Sequence, residues 1–266
     1  MIKFVKKLNI IQKHYIFANI IQKRNLMKYI LKISIIVILV SLFYSCVTEK
    51  KMVKPIVVEL NNSKDFEIEL SPGPSFNHPT FSIWLEDMDG NYLKTLFITK
   101  SYASGIFGYK MLGDSIWVNE SGESIQPAAL PYWTYKKGLI NKKNLIPTPE
   151  NPFIDAYTGA TPKGKFTLLD KLLDKKKYNV MLEVNQTWDW NNYWTNNKFP
   201  KSNAYKHSSQ PSVIYSVTIT PKDSVFYLNP IGHGSPTGEN GNLHTNLSTL
   251  STALDIFSSI KITIKR

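Results

Sequence analysis

Along the chain, apolar and polar residues alternate in short runs bounded by turn-forming residues. The runs recur at Pro55–Leu60, Phe66–Leu70, Thr80–Glu86, Tyr92–Thr99, Ser115–Asn119, Lys165–Leu169, Tyr178–Thr187, Ser212–Thr220, Ser224–Leu228 and Ile260–Lys265. Period-two alternation rich in β-branched and aromatic residues predicts strands rather than helices. Many short strands in series predict an all-β chain, specifically an antiparallel β-sandwich of the immunoglobulin-like kind. The clearest unit is Phe81–Glu86, then Asp87-Met88-Asp89-Gly90-Asn91, then Tyr92–Phe97. Asp-Gly between alternating runs signals a hairpin, because Gly90 takes positive φ at little cost.

Two stretches break the pattern. Leu247, Leu250, Leu254 and Phe257 follow approximate helical spacing, with Asn246 or Ser248 available as a cap, and predict one short C-terminal helix before the last strand. The segment from Thr187 to Gln210 is polar yet carries Trp188, Trp190, Tyr193 and Trp194. Its length marks it as functional or disordered, and its aromatic content argues against disorder.

The amino-terminal region changes the reading of charge. Residues 1–45 hold eight of the 32 Lys and Arg and no Asp or Glu, and Ile33 to Tyr44 is almost wholly apolar. That apolar run is too short for a spanning helix, which needs about 20 residues, and has the length of a signal-peptide core. It ends at Ser45-Cys46, a small residue before the only cysteine of the chain, although Tyr44 is bulky for that position. The expectation is a bacterial lipoprotein cut before Cys46, with lipid on that thiol. The competing expectation is an uncleaved anchor that leaves the same domain on the same side of the membrane. Met27-Lys28 is a better signal start than Met1, so residues 1–26 read as an overcalled start. The organisation expected is therefore 1–45 signal region, 46–54 lipidated cysteine and tether, and 55–266 β-sandwich domain. The localisation expected is the cell envelope outside the cytoplasm, and Val47 after the cysteine leans to the outer membrane.

Without residues 1–45, 24 basic residues face 20 acidic ones, so the formal net charge drops from +12 to near neutrality. No basic stripe remains to favour nucleic acid, and the patches at Lys136-Lys137, Lys142-Lys143 and Lys175–Lys177 read as solvated loops and turns. With its one cysteine assigned to lipid, the domain has no disulfide and no zinc-type Cys spacing. No Cys-x-x-Cys-His, Gly-x-Ser-x-Gly, HExxH, P-loop or dinucleotide fingerprint occurs. His233 and His244 flank a polar loop containing Glu239, but their spacing matches no metal motif. Asp87 and Asp89 read as a surface turn before a catalytic pair.

The most specific string is Asp155-Ala156-Tyr157-Thr158-Gly159-Ala160-Thr161. From average residue usage its pattern arises in ~1 chain in 2,000 of this length. In local geometry alone it reads as a tight turn introducing a strand, with Gly159 supplying positive φ and Pro162 fixing the exit. The string also resembles the flavinylation motif of exported redox proteins, among them subunits of the sodium-pumping NADH:quinone reductase and of the Rnf electron-transport complex. That resemblance implies that an FMN transferase, using FAD and magnesium, attaches FMN through a phosphoester to Thr161, with Asp155 leading the motif. Thr158, Gly159 and Ala160 complete it, the last two lacking bulk that would obstruct the transferase.

A wider resemblance, over about residues 78 to 190, is to the exported bacterial domain-of-unknown-function family 2271. It is carried by Trp84–Tyr92, by Leu130-Pro131-Tyr132-Trp133, and by Ile154 to Gly164 followed by the Tyr178–Val184 run. The lysine-rich turn Asp170–Lys177 departs from that family's pattern. Together the resemblances imply a membrane-anchored extracytosolic electron carrier with covalent FMN and a membrane redox donor, rather than a turnover enzyme. Trp188 and Trp190, with Tyr193 and Trp194, are then candidates to cover the flavin ring, against the plainer reading of loop-anchoring aromatics. The alternative function is a cofactor-free β-sandwich lipoprotein that binds a protein or glycan through the same aromatics.

Overall fold

A computed structural model describes residues 23–24, 27–32, 34, 54–61, 64–112, 116–141, 146–154, 157–173, 177–220 and 222–265. Cys46, Asp155 and Ala156 lie outside the described residues. The chain divides into two compact units, Met1–Met52 and Val53–Arg266. In the first unit the described residues are helical and exposed. Among the described residues no helix is long and apolar enough to cross a membrane.

The second unit is mostly β with few helices. Its larger sheets contain β1 (Ile56–Glu59), β2 (Phe66–Pro72), β3 (Thr80–Glu86), β4 (Tyr92–Thr99), β9 (Tyr157–Gly159), β10 (Phe166–Asp170), β11 (Tyr178–Asn185), β12 (Val213–Ile219), β13 (Val225–Tyr227), β14 (Asn229–His233) and β15 (Phe257–Ile264). One sheet has the order β1-β10-β2-β15-β13, the other β14-β12-β11-β3-β4-β9. Pairing is antiparallel except at two edges, where β1 runs parallel to β10 and β9 parallel to β4. Two small ribbons pair β5 (Ile106–Phe107) with β8 (Gly122–Glu123), and β6 (Lys110–Leu112) with β7 (Ile116–Val118).

One core cluster takes alternate residues from both sheets: Phe66, Ile68 and Leu70 of β2, Phe81, Ile83 and Leu85 of β3, and Val180, Leu182 and Val184 of β11. The sheets touch directly where Phe166 of β10 meets Phe97 of β4 at 4.7 Å and Phe81 of β3 at 5.6 Å. The other face of the six-stranded sheet is covered as well. Trp84, Ile98, Met181 and Ile214 pack under Tyr132 and Trp133 of a helix at Pro131–Asn141. β3 is therefore buried along its whole length, on both faces.

The Asp-Gly turn forms as its sequence predicts. Gly90 has φ +78°, Asp87 N–H donates to Asn91 O, and the Asp87 carboxylate accepts from Asp89 N–H and Asn91 N–H. Three expectations are corrected. The C-terminal helix is only a 3₁₀ turn at Thr252–Asp255, and Phe257 already begins β15. Asn246 closes a local turn by accepting from Ser248 N–H, and the leucines reach the core from turns rather than from a helical face. Lys136 and Lys137 are on the Pro131–Asn141 helix, not in a solvated loop. Lys136 Nζ donates to Gly90 O, and Lys137 Nζ lies 3.4 Å from the Phe153 ring centroid. Gly159 is not among the glycines of positive φ. What demands glycine there is proximity, because a Cβ would sit 2.9 Å from Phe97 Cε2.

Candidate functional site

The motif forms the edge of the six-stranded sheet. Tyr157, Thr158 and Gly159 pair in parallel with Phe97, Ile98 and Thr99 of β4. The chain then leaves the edge through exposed Ala160 to half-buried Thr161 and buried Pro162, and enters the other sheet at Phe166. This crossover delivers Thr161 to a cavity of about 480 Å³ at one end of the sheets.

The cavity walls come from four connections. Asn77, His78 and Thr80 lead into β3, Ser101 follows β4, and Thr187 and Trp188 follow β11. Phe107, Gly108, Tyr109 and Gln126 come from the excursion after the short helix Lys100–Ser104, and His207 comes from the helix Asn203–Ser208. The Trp188 and Tyr109 rings meet edge to face at 6.1 Å. None of these lining residues is Lys, Arg, Asp or Glu, and burial pushes the His207 imidazole below its ordinary range, keeping it neutral near pH 7. The walls therefore suit an uncharged, partly aromatic group, with hydroxyls and amides to orient it.

The backbone is strained here. Among the described residues the non-glycine positions with positive φ are His78 (52°), Trp188 (59°) and Ser209 (63°). Two of them line the cavity, and Ser209 closes the neighbouring helix by donating its N–H to Tyr205 O. Trp188 is held in its left-handed conformation by donating its N–H to His207 O at 2.7 Å. Such outliers persist only where surrounding structure fixes them, and they concentrate at functional sites. Also among the described residues, Gln126 Oε1 is buried with no hydrogen-bond partner at the cavity wall.

The structure thus brings Thr161 and Trp188 to one cavity and leaves the other aromatics elsewhere. Trp190 is 54% exposed and does not line the cavity. Trp194 is core, its indole N–H donating to Thr249 Oγ1, and Tyr193 packs beneath Lys198 Nζ. The Thr187–Gln210 segment is anchored rather than loose. Buried Gln210 accepts from Ser251 N–H and Asn191 Nδ2, and its carbonyl accepts from Asn185 Nδ2. Tyr157 faces a different hollow, shared with exposed Ile154 and with the ion pair Lys94–Asp170 at 3.0 Å. His233 and His244 stack at 5.1 Å through a backbone bridge. Among the described residues no three His, Cys, Asp or Glu side chains are grouped to hold a metal ion.

Sequence patterns did not reveal the buried carboxylates Glu86, Asp170 and Glu183, of which Glu183 has the densest set of partners. Glu183 of β11 points out of the core sheet face and accepts from Tyr132 N–H, Trp133 N–H and Ser212 Oγ at 3.1, 2.7 and 2.6 Å. It caps the Pro131–Asn141 helix from another element. Burial outweighs these bonds and lifts its carboxyl to about 7. The only local signal was an isolated Glu within a strand of apolar neighbours.

Comparison with protein-family models, with curated proteins and with solved structures returns no match.

Proposed function

We propose that this protein is a membrane-anchored, extracytosolic electron carrier whose FMN is attached covalently at Thr161, built on an immunoglobulin-like β-sandwich. The observation that carries the reading is the shared cavity of Thr161 and Trp188. A chance Asp-x-x-Thr-Gly-Ala-Thr string has no reason to end beside an aromatic-lined, uncharged hollow large enough for a fused ring system. Three further features support it. Edge strand β9 leaves the motif approachable by a transferase. Ala160 is exposed, so the approach to Thr161 is not screened by bulk. Pairing with Phe97, Ile98 and Thr99 fixes β9 two residues before Thr161, so the chain leaves for the cavity from a defined point of the sheet edge.

Attachment balances as a displacement. Thr161 Oγ forms a bond to the FMN phosphorus of FAD, the pyrophosphate bond breaks, AMP leaves, and the hydroxyl proton passes to solvent. Trp188, Tyr109 and Phe107 are the residues that would hold the ring and exclude water, and Gln126 Oε1 offers an acceptor for a ring N–H. The flavin supplies the reversible electron chemistry, and the protein supplies attachment, shielding and orientation. The donor in this reading is membrane-bound, the anchor is lipid on Cys46, and the location is the cell envelope. The likeness to domain-of-unknown-function family 2271 belongs to this proposal, carried by the Trp84–Tyr92 hairpin and the motif. Exposed Trp190 and Tyr193, away from the cavity, favour the second reading of an aromatic binding surface for a protein or glycan.

The test is intact mass after co-expression with an active FMN transferase in an exporting host. The expected result is a gain of one FMN less water, lost in Thr161→Ala and kept in Thr158→Ala. Unmodified chain beside a modified control substrate would overturn the carrier reading in favour of the binding surface.

A further inference from the structure

A phosphate carries close to two negative charges near neutral pH, and proteins that hold one without a covalent bond meet it with cations or with the amino end of a helix. Among the described residues the Thr161 cavity offers neither. Its polar walls are the neutral side chains Asn77, Thr80, Ser101, Gln126 and Thr187. Lys100, Lys110, Lys163 and Lys206 each stand within two residues of a lining residue in the sequence, and none of them lines the cavity. Asp189, beside Trp188, is the nearest acid in sequence and is turned to Thr252 Oγ1. The cationic capacity of the lining is confined to the imidazoles of His78 and His207, and His78 Nδ1 is turned to Asn77 Oδ1 at 3.0 Å.

The two helices that reach the cavity serve an anion no better. Lys100–Ser104 has five residues and no side-chain cap hydrogen bond, too short to gather a dipole. Asn203–Ser208 meets the cavity through His207 in its last turn, the carboxyl end, where carbonyls rather than amides are left over. Thr161 and Ser101 each lie two residues beyond Gly159 and Thr99, the last paired positions of parallel β9 and β4, and both line the cavity. A phosphate on Thr161 therefore meets a serine at this end of the hollow and no lysine or arginine in its walls.

We infer that the cavity recognises the uncharged ring of the flavin and has no subsite for its phosphate, so that the covalent bond at Thr161 stands in place of one. The inference rests on the flavin reading of this site and deepens it. Aromatic faces at Trp188 and Tyr109 take a planar ring, and neutral amides and hydroxyls orient it. Moving a doubly charged phosphate from water to such walls costs free energy that nothing in the lining returns. The consequence is a rule of loading. Free FMN does not fill the site, whereas a transferase that draws on FAD does, and the loaded cofactor does not exchange.

The test uses the full chain from a host that lacks the transferase, so that Thr161 is unmodified. Binding of riboflavin and of FMN is measured by equilibrium dialysis at about pH 8, where imidazoles of ordinary pKa are neutral. Riboflavin is expected to bind at least about tenfold more tightly than FMN. Trp188→Gly is expected to weaken riboflavin about tenfold, and Trp190→Gly to leave it unchanged, which assigns the binding to this cavity. Ser101→Lys, adding the missing cation, is expected to narrow the gap between the two ligands. FMN binding as tightly as riboflavin, no riboflavin binding, or riboflavin binding indifferent to Trp188→Gly would each overturn the inference. Failure of the carrier reading shows separately, as a chain that stays unmodified beside an active transferase whatever it binds in dialysis.

Discussion

The amino end of the Pro131–Asn141 helix and the cavity beside Thr161 lie against the same six-stranded sheet and treat polar groups in opposite ways. At the helix end, three donors converge on the Glu183 carboxylate, which is fully buried. At the cavity, two lining residues hold left-handed backbone, Gln126 Oε1 is buried without a partner, and aromatic rings stay partly exposed. A satisfied buried network specifies structure. Strain and unspent hydrogen-bonding capacity kept beside an opening are what the proposed flavin would draw on. The contrast separates the glutamate, with its raised pKa, from the chemistry and assigns it to the scaffold, although a shifted carboxyl alone would have suggested a catalytic acid.

The contrast breaks first at Glu183. Glu183→Ala leaves two backbone donors of the helix and Ser212 Oγ without their acceptor inside the protein, and is expected to cost about 3–5 kcal/mol by chemical denaturation. A loss under about 1 kcal/mol would show that the helix does not depend on this cap. The titration gives the next largest effect. With the folded carboxyl raised to about 7 from an ordinary 4.5, the folded chain binds this proton more tightly than the unfolded one. Its contribution is full below the ordinary value and is lost as pH rises to about 7, an expected fall of roughly 3 kcal/mol. Glu183→Gln lacks this slope, so the wild-type advantage over it narrows from pH 5 to pH 8.

Gly159→Ala follows, because its methyl presses on Phe97, whose ring already meets Phe81 and Phe166. The expected loss is about 1–3 kcal/mol in thermal unfolding. At the cavity, Trp188→Gly is expected to shift stability by less than about 1 kcal/mol in either direction, since relief of the left-handed backbone offsets the lost ring contact with Tyr109. A large destabilisation by Trp188→Gly would make that residue a scaffold element and erase the contrast.

Much of the β architecture was legible because alternation and turn chemistry are local. All ten alternating runs overlap strands, and the Asp87–Asn91 turn carries its own hydrogen bonds within the segment. The Pro131–Asn141 helix was illegible because its cap, Glu183, is about fifty residues away and no Ser, Thr, Asp or Asn precedes Pro131. The leucines of 247–254 showed helical spacing without helix, since turns and a 3₁₀ segment also deliver them to the core. Thr161 and Trp188 could each be picked from the sequence. Their meeting could not, because it depends on the parallel β4–β9 edge and on Trp188 adopting positive φ. Trp190, equally prominent as a sequence feature, is left outside the cavity.

The central claim is that a flavin on Thr161 places its ring against Trp188. Flavin fluorescence of the modified protein, read before and after unfolding, tests it most directly, because an indole in contact quenches the ring and unfolding separates them. The account predicts weak emission from the folded wild type, recovery on unfolding, marked brightening of the folded protein in Trp188→Phe, and no change in Trp190→Phe. Equal brightness of wild type and Trp188→Phe in the folded state, at equal flavin content by mass, would contradict it.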